Sequence, residues 1–336
     1  MNASVEPVVF PNASGQRLFG MLHRPAFNRA RGSAVILLSP GIKGRIAPHR
    51  LYIKLARQLC EAGFTVLRFD FYGLGDAEGE LDEKRVADVY AAVAMGRYTD
   101  DTLAAMNWMQ REHQVDRFVL SGLCGGAITG LFAGARDPRV QALAGFGIPV
   151  IQYGDEALRY KYLSSGEQSQ FRRGYFRKLL DWKSWLRLLT LRSDFGVIAK
   201  VFLSPLKRRR KAPAPDNPSS AGPSQAAENA SPIDNLNPFF PPAFFEFLKG
   251  SRRLFLVFGG NDRLYWDYLE KFYQPRKDQI DALHSVLDLQ VIEGARHIYE
   301  EQEQYEMLLR VVVDWISKQL NAPTPATGLS RAGSDA

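Results

Sequence analysis

Apolar residues run through this chain in short unbroken blocks, separated by longer stretches in which they recur every three or four positions. Residues 34–39 form a continuous apolar block, as a strand buried on both faces requires. Similar blocks at 65–71, 117–123, 140–150, 253–260 and 287–294 are strand-length. Between them, 50–62 has helical spacing and stops at Gly63, 101–111 is amphipathic, and 126–135 is a small-residue helix. Near the start, 8–10 and 17–23 flank Asn12-Ala13-Ser14-Gly15, a turn signal that predicts an antiparallel hairpin. Strand and helix then alternate, which predicts a mostly parallel central sheet flanked by helices.

The alternation breaks in the middle of the chain. Residues 181–192 read as an amphipathic helix with aromatic and leucine faces. Residues 212–238 are rich in Pro, Ala, Ser and Asn, and read as a disordered linker. The cluster Phe239-Phe240-Pro241-Pro242-Ala243-Phe244-Phe245 follows, and packs the chain's return or lines an acyl pocket. The expected organisation is core over 1–150, a basic helical lid insertion over 151–250, core again over 251–320, and a disordered tail over 321–336.

Charge is uneven. The chain carries a net +7, yet residues 159–211 alone hold 15 Lys and Arg against 3 Asp and Glu, so the remainder is acidic. The basic stretch is a solvated lid face, a surface drawn to an anionic membrane, or a reader of anionic substrates. No nucleic-acid-binding motif accompanies it, so nucleic acid is not an expected partner. Two cysteines in 336 residues do not make a disulfide framework. No signal peptide or membrane span is apparent. The expected location is the cytoplasm, with peripheral contact at the inner membrane face as the alternative; the oligomeric state is open.

The sharpest chemical signal is Gly122-Leu123-Cys124-Gly125-Gly126, placed between an apolar strand and a small-residue helix. This Gly-x-Cys-x-Gly turn forces strained backbone angles on the middle residue and lifts its side chain above the sheet edge. The amide of Gly125, at the helix start, points the same way and is a candidate oxyanion donor. The loop Pro40-Gly41-Ile42 leaves the first central strand beside it, so Ile42, then Gly41, is the candidate for the second donor. The structural alternative for Cys124 is a small buried thiol in a glycine-rich turn.

A thiol nucleophile needs a base and a group to orient that base. Asn261-Asp262 follows the strand block at 253–260, and Ala295-Arg296-His297 follows the block at 287–294. Both positions lie where ligands bind in a parallel sheet, just beyond strand ends. The order nucleophile, acid, base along the chain is that of an α/β-hydrolase. Asp262 alone could simply cap a helix, and His297 alone could be an ordinary loop histidine. His23, His113 and His284 are poorly placed, His49 reads as structural, and Cys60 falls on a helical apolar face. The Gly-x-Gly within 72–79 lacks dinucleotide spacing and reads as a turn.

With these residues placed, the chain resembles an α/β-hydrolase of the serine-aminopeptidase-like branch. The segments Gly41-Ile42-Lys43-Gly44-Arg45, His49-Arg50, 67–79 and Gly122-Leu123-Cys124 are similar to the bacterial exosortase A system-associated hydrolases, which also place Cys in the elbow. The chain departs from them at Gly125, where they usually carry an acidic residue, and in its longer insertion. Dienelactone hydrolases share the Cys elbow as a site analogy. Polyhydroxyalkanoate synthases share it too, but their wider context is missing. The resemblance implies a bacterial hydrolase associated with exopolysaccharide and protein-sorting gene clusters, of unknown physiological substrate. The residues themselves point to acyl transfer from a small-molecule ester or thioester through Cys124, His297 and Asp262, with no metal or cofactor needed. The alternatives are an acyltransferase using the same Cys124, and a non-catalytic membrane-associated protein on a hydrolase fold.

Overall fold

The computed structural model describes residues 3–30, 32–152 and 235–321. The amphipathic segment 181–192, the basic stretch 159–211, most of the expected linker and nearly all of the expected tail lie outside these residues.

Eight strands form one sheet in the order β1-β2-β4-β3-β5-β6-β7-β8. They are β1 (Ser4–Pro11), β2 (Arg17–Arg24), β3 (Ser33–Leu38), β4 (Thr65–Phe69), β5 (Arg117–Leu123), β6 (Val140–Phe146), β7 (Arg253–Gly259) and β8 (Leu287–Ile292). The first two form the expected hairpin, and β2 joins β4 antiparallel; every other pairing is parallel. Helices fill the connections: α1 (Leu51–Glu61), α2 (Val86–Ala94), α3 (Thr99–His113), α4 (Gly125–Arg136), α5 (Phe240–Phe247), α6 (Arg263–Asp267), α7 (Lys277–Asp281) and α8 (Gln302–Asn321).

The two-residue period of a strand explains the layering. Along β3, Ala34, Ile36 and Leu38 face one core, while Val35 and Leu37 face the other. The first core packs beneath α2, α3, α4 and α5; the second beneath α1 and α8. All of β3 is buried, which is why its sequence shows no alternation.

Two expected boundaries move. The apolar run 140–150 predicts one long strand, but β6 ends at Phe146 because Gly147 turns the chain with φ +52°. Residues 235–250 do not belong with the insertion. Leu236 bridges back to Ile151, Asn237 is fully buried with its amide on the Ala94 carbonyl, and Phe240, Phe244 and Phe247 of α5 are buried in the first core. Large aromatic area decides the matter: three phenylalanines buried here contribute far more than a mobile linker could offset.

Candidate active site

β5 ends at Leu123 and α4 begins at Gly125, leaving Cys124 alone to make the turn at φ 53°, ψ −114°. Such angles are uncommon for a residue with a Cβ and are held by the surroundings. Here the surroundings are backbone packed on backbone: a Cβ on Gly126 would stand 2.1 Å from the Leu38 carbonyl oxygen, and one on Gly122 would stand 2.5 Å from the Gly126 carbonyl carbon. The amide of Cys124 donates to the Phe146 carbonyl at 2.8 Å. Beneath it, the fully buried Tyr52 hydroxyl donates to the Leu38 carbonyl at 2.7 Å and accepts from the Leu123 amide at 2.8 Å. One phenol thus ties the ends of β3 and β5 together, and burial raises its pKa.

β7 delivers Asp262 and β8 delivers His297. Asp262 is 3% exposed and splits its carboxylate: Oδ1 accepts from the Leu264 amide at 3.0 Å, capping α6, and Oδ2 accepts from Nδ1 of His297 at 2.8 Å. The capping and imidazole-binding readings of Asp262 therefore hold together. Cys124 is the other group that acts on the His297 proton. Burial works to lower the pKa of His297, but the hydrogen bond to Asp262, the interaction with Cys124 and the charges of both prevail and push it up to about 10.

The candidate oxyanion donors converge on the same point. A Cβ on Gly125 would meet the Gly41 amide nitrogen at 2.7 Å, so the loop after β3 lies directly on the start of α4. α2 roofs this contact with residues one turn apart: the Tyr90 ring presses on Gly41, and Val93 presses on Gly125. Among the described residues the amides of Ile42 and Gly125 donate to no backbone carbonyl outside the helices and strands.

Sequence reading missed the groups that fix the walls. Asp70, fully buried, accepts from the Arg45 amide at 2.6 Å and the Asp76 amide at 3.1 Å, and pairs with the Arg45 guanidinium. Arg45 lies over Phe19 at 4.6 Å, and Arg68 behind it donates to Nε2 of His23 at 3.0 Å. Burial, then the charge of Arg68, lowers the His23 pKa to about 4, so its ring is a neutral acceptor. The only sequence signal for this network is the polar residues set into the apolar block Leu67-Arg68-Phe69-Asp70. It frames a cleft of about 570 Å³ that runs from Lys43, beside Ile42, to Ile298, beside His297. The remaining candidates lie elsewhere: His49 gives its carbonyl to the Tyr305 hydroxyl, His284 is exposed, and Cys60 is buried on α1. Gly73 and Gly75 are turn residues with positive φ.

A family model described as alpha/beta hydrolase fold matches residues 34–181. Among solved structures, the α/β hydrolase GrgF from Penicillium sp. sh18 aligns with a TM-score of 0.53 at 16% identity, over 95% of this chain and 100% of that one. The Pyrococcus furiosus esterase Pf2001 aligns at 0.52 and 15%, over 94% and 93% of the two chains. XC6422 from Xanthomonas campestris, described as a serine hydrolase without lid, aligns at 0.50 and 15%, over 96% and 97%. No curated protein matches the sequence. At such identities the likeness concerns the fold.

Proposed function

From the α/β-hydrolase fold and the residues gathered at its sheet edge, we propose that this protein cleaves a carboxylic ester or thioester with Cys124 as nucleophile. The observation that supports this most directly is His297, hydrogen-bonded to buried Asp262 at 2.8 Å and close enough to Cys124 for the sulfur to raise its proton affinity. The raised proton affinity of His297 lets it hold the thiol proton already in the resting protein, and the sulfur attacks the substrate carbonyl as the thiolate. The oxyanion rests on the amide of Gly125 and on one from the loop packed against it, Ile42 or Gly41. Collapse breaks the bond to the leaving alcohol or thiol, to which His297 returns the proton. The leaving group occupies the cleft that ends beside His297. Water, deprotonated by His297, then attacks the thioester. The carboxylic acid departs, and the proton returns to the sulfur.

Asp262 holds the tautomer that leaves Nε2 free to face the sulfur, and it stabilises the imidazolium formed at each transfer. A raised proton affinity at His297 suits the first step, in which it competes with a thiol for the proton.

The test is a pulse of short-chain aryl ester, an acid quench, and intact mass beside Cys124→Ala. An acyl adduct in the native protein and none in the variant supports the assignment. A folded native protein that forms no adduct with esters of any chain length overturns it. Adding an amine or thiol to the same reaction tells hydrolysis from acyl transfer by the product formed.

A further inference from the structure

The end of β6 touches all three of these residues. The Phe146 carbonyl accepts from the amide of Cys124 at 2.8 Å. The next residue, Gly147, donates its own amide to the Val257 carbonyl at 2.8 Å, on the strand that leads to Asp262. The Cα of Gly147 faces the acid–imidazole pair itself. A Cβ there would stand 2.9 Å from Cε1 and Nδ1 of His297 and 3.0 Å from Oδ2 of Asp262. Nδ1 and Oδ2 are the two atoms that share the hydrogen bond.

Sheet order explains why something must fill this place. Cys124 tops β5 and His297 follows β8, with β6 and β7 between them. The imidazole therefore reaches across two strand ends to meet the thiol. We propose that Gly147 is a positioning residue: the floor on which the His297 ring lies, at the one height that keeps Nδ1 on Asp262 and the opposite edge on Cys124. A side chain there lifts the ring off one partner or the other. Bare backbone also keeps water from the buried side of the hydrogen bond. Glycine is required twice over, by φ +52° and by the contact. This role rests on the catalytic reading of the three residues, but the contacts themselves do not.

Gly147→Ala adds the missing Cβ. Gly250→Ala is the control, because Gly250 has φ +71° with nothing within 4 Å of its Cβ position, so it carries the backbone strain alone. Alkylation of Cys124 by iodoacetamide, mapped by mass from pH 5 to 10, needs no substrate and so reads the positioning even if the ester chemistry is wrong. The expected result is a shifted pH profile in Gly147→Ala and an unshifted one in Gly250→Ala. Where esters turn over, kcat falls about a hundredfold, the scale of a small misplacement of a catalytic group, with KM little changed. In a His297→Ala background, Gly147→Ala has no further effect. If Gly147→Ala does not fold, the cycle is read in thermal stability, and removing the His297 ring restores folding by making room for the methyl group. The proposal is overturned if Gly147→Ala matches Gly250→Ala, or if its effect is the same with and without the His297 ring.

Discussion

Asp262 and Cys124 both favour the protonated form of His297, and this couples the site to stability. Its pKa in the folded chain, about 10, lies above the ordinary imidazole value of 6.5. A base with a raised folded pKa contributes stability that is whole below the unfolded value and is lost as pH climbs through the folded one. The melting temperature of the native protein should therefore exceed that of His297→Gln by most near pH 6, and the gap should close towards pH 10. A gap that is flat across that range would mean the ring is not charged in the resting protein. At this scale the sequence is most legible where a residue sits just past a strand end. Asp262 and His297 stand within a few residues of the apolar blocks that announce their strands, and Cys124 lies between two glycines. Gly147 is not singled out by the same reasoning: it falls inside the block 140–150, and its partners lie 115 and 150 residues away in the chain.

Elements bring these residues together through backbone groups that need partners once buried. At the ends of β3 and β5 the Tyr52 hydroxyl bonds both the carbonyl of Leu38 and the amide of Leu123. Tyr52→Phe keeps the ring and its packing but orphans two buried groups, each worth about 1–3 kcal/mol. The variant should lose on the order of 2 kcal/mol or more in chemical denaturation, and Cys124 alkylation should slow with it as the elbow loosens. A loss within error would show that another group or water replaces the hydroxyl. The helical spacing of 50–62 reveals α1 but not that Tyr52 on it turns its polar end into the sheet, since periodicity reports which face is buried and not what that face binds. α2 is missed for a related reason. It is short and its sequence, Val-Ala-Asp-Val-Tyr-Ala-Ala-Val-Ala, is apolar nearly all round, so no stripe marks it as an amphipathic helix. The return of the chain at residues 235–250 is placed with the insertion because Pro and Asn at its start continue the composition of the preceding stretch, while burial is decided by Asn237 and three phenylalanines.

For the molecule as a whole, chemistry and charge occupy different parts of the chain. The candidate site is built from residues 40–147 and 257–298. The excess of Lys and Arg lies in 159–211, outside the described residues. The two meet at one place: Gln152 and Asn235, where the described chain stops and resumes, are hydrogen-bonded to each other at 2.9 Å, just beyond the end of β6. Among the described residues no helix is long and apolar enough to cross a membrane. We expect the purified protein to bind vesicles containing an anionic lipid at low ionic strength and to leave neutral ones alone. Salt shortens the reach of the attraction from about 10 Å at 0.1 M to about 3 Å at 1 M, so binding should be released at high salt. Near such a surface each Lys or Arg contributes about 1 kcal/mol. Changing Lys207, Arg208, Arg209, Arg210 and Lys211 together to Ala should therefore weaken vesicle binding by orders of magnitude. Cys124→Ala should leave it intact. Co-sedimentation across a salt series separates the cases: salt-insensitive binding would point to apolar insertion, and no binding at low salt would leave the basic charge without a membrane role.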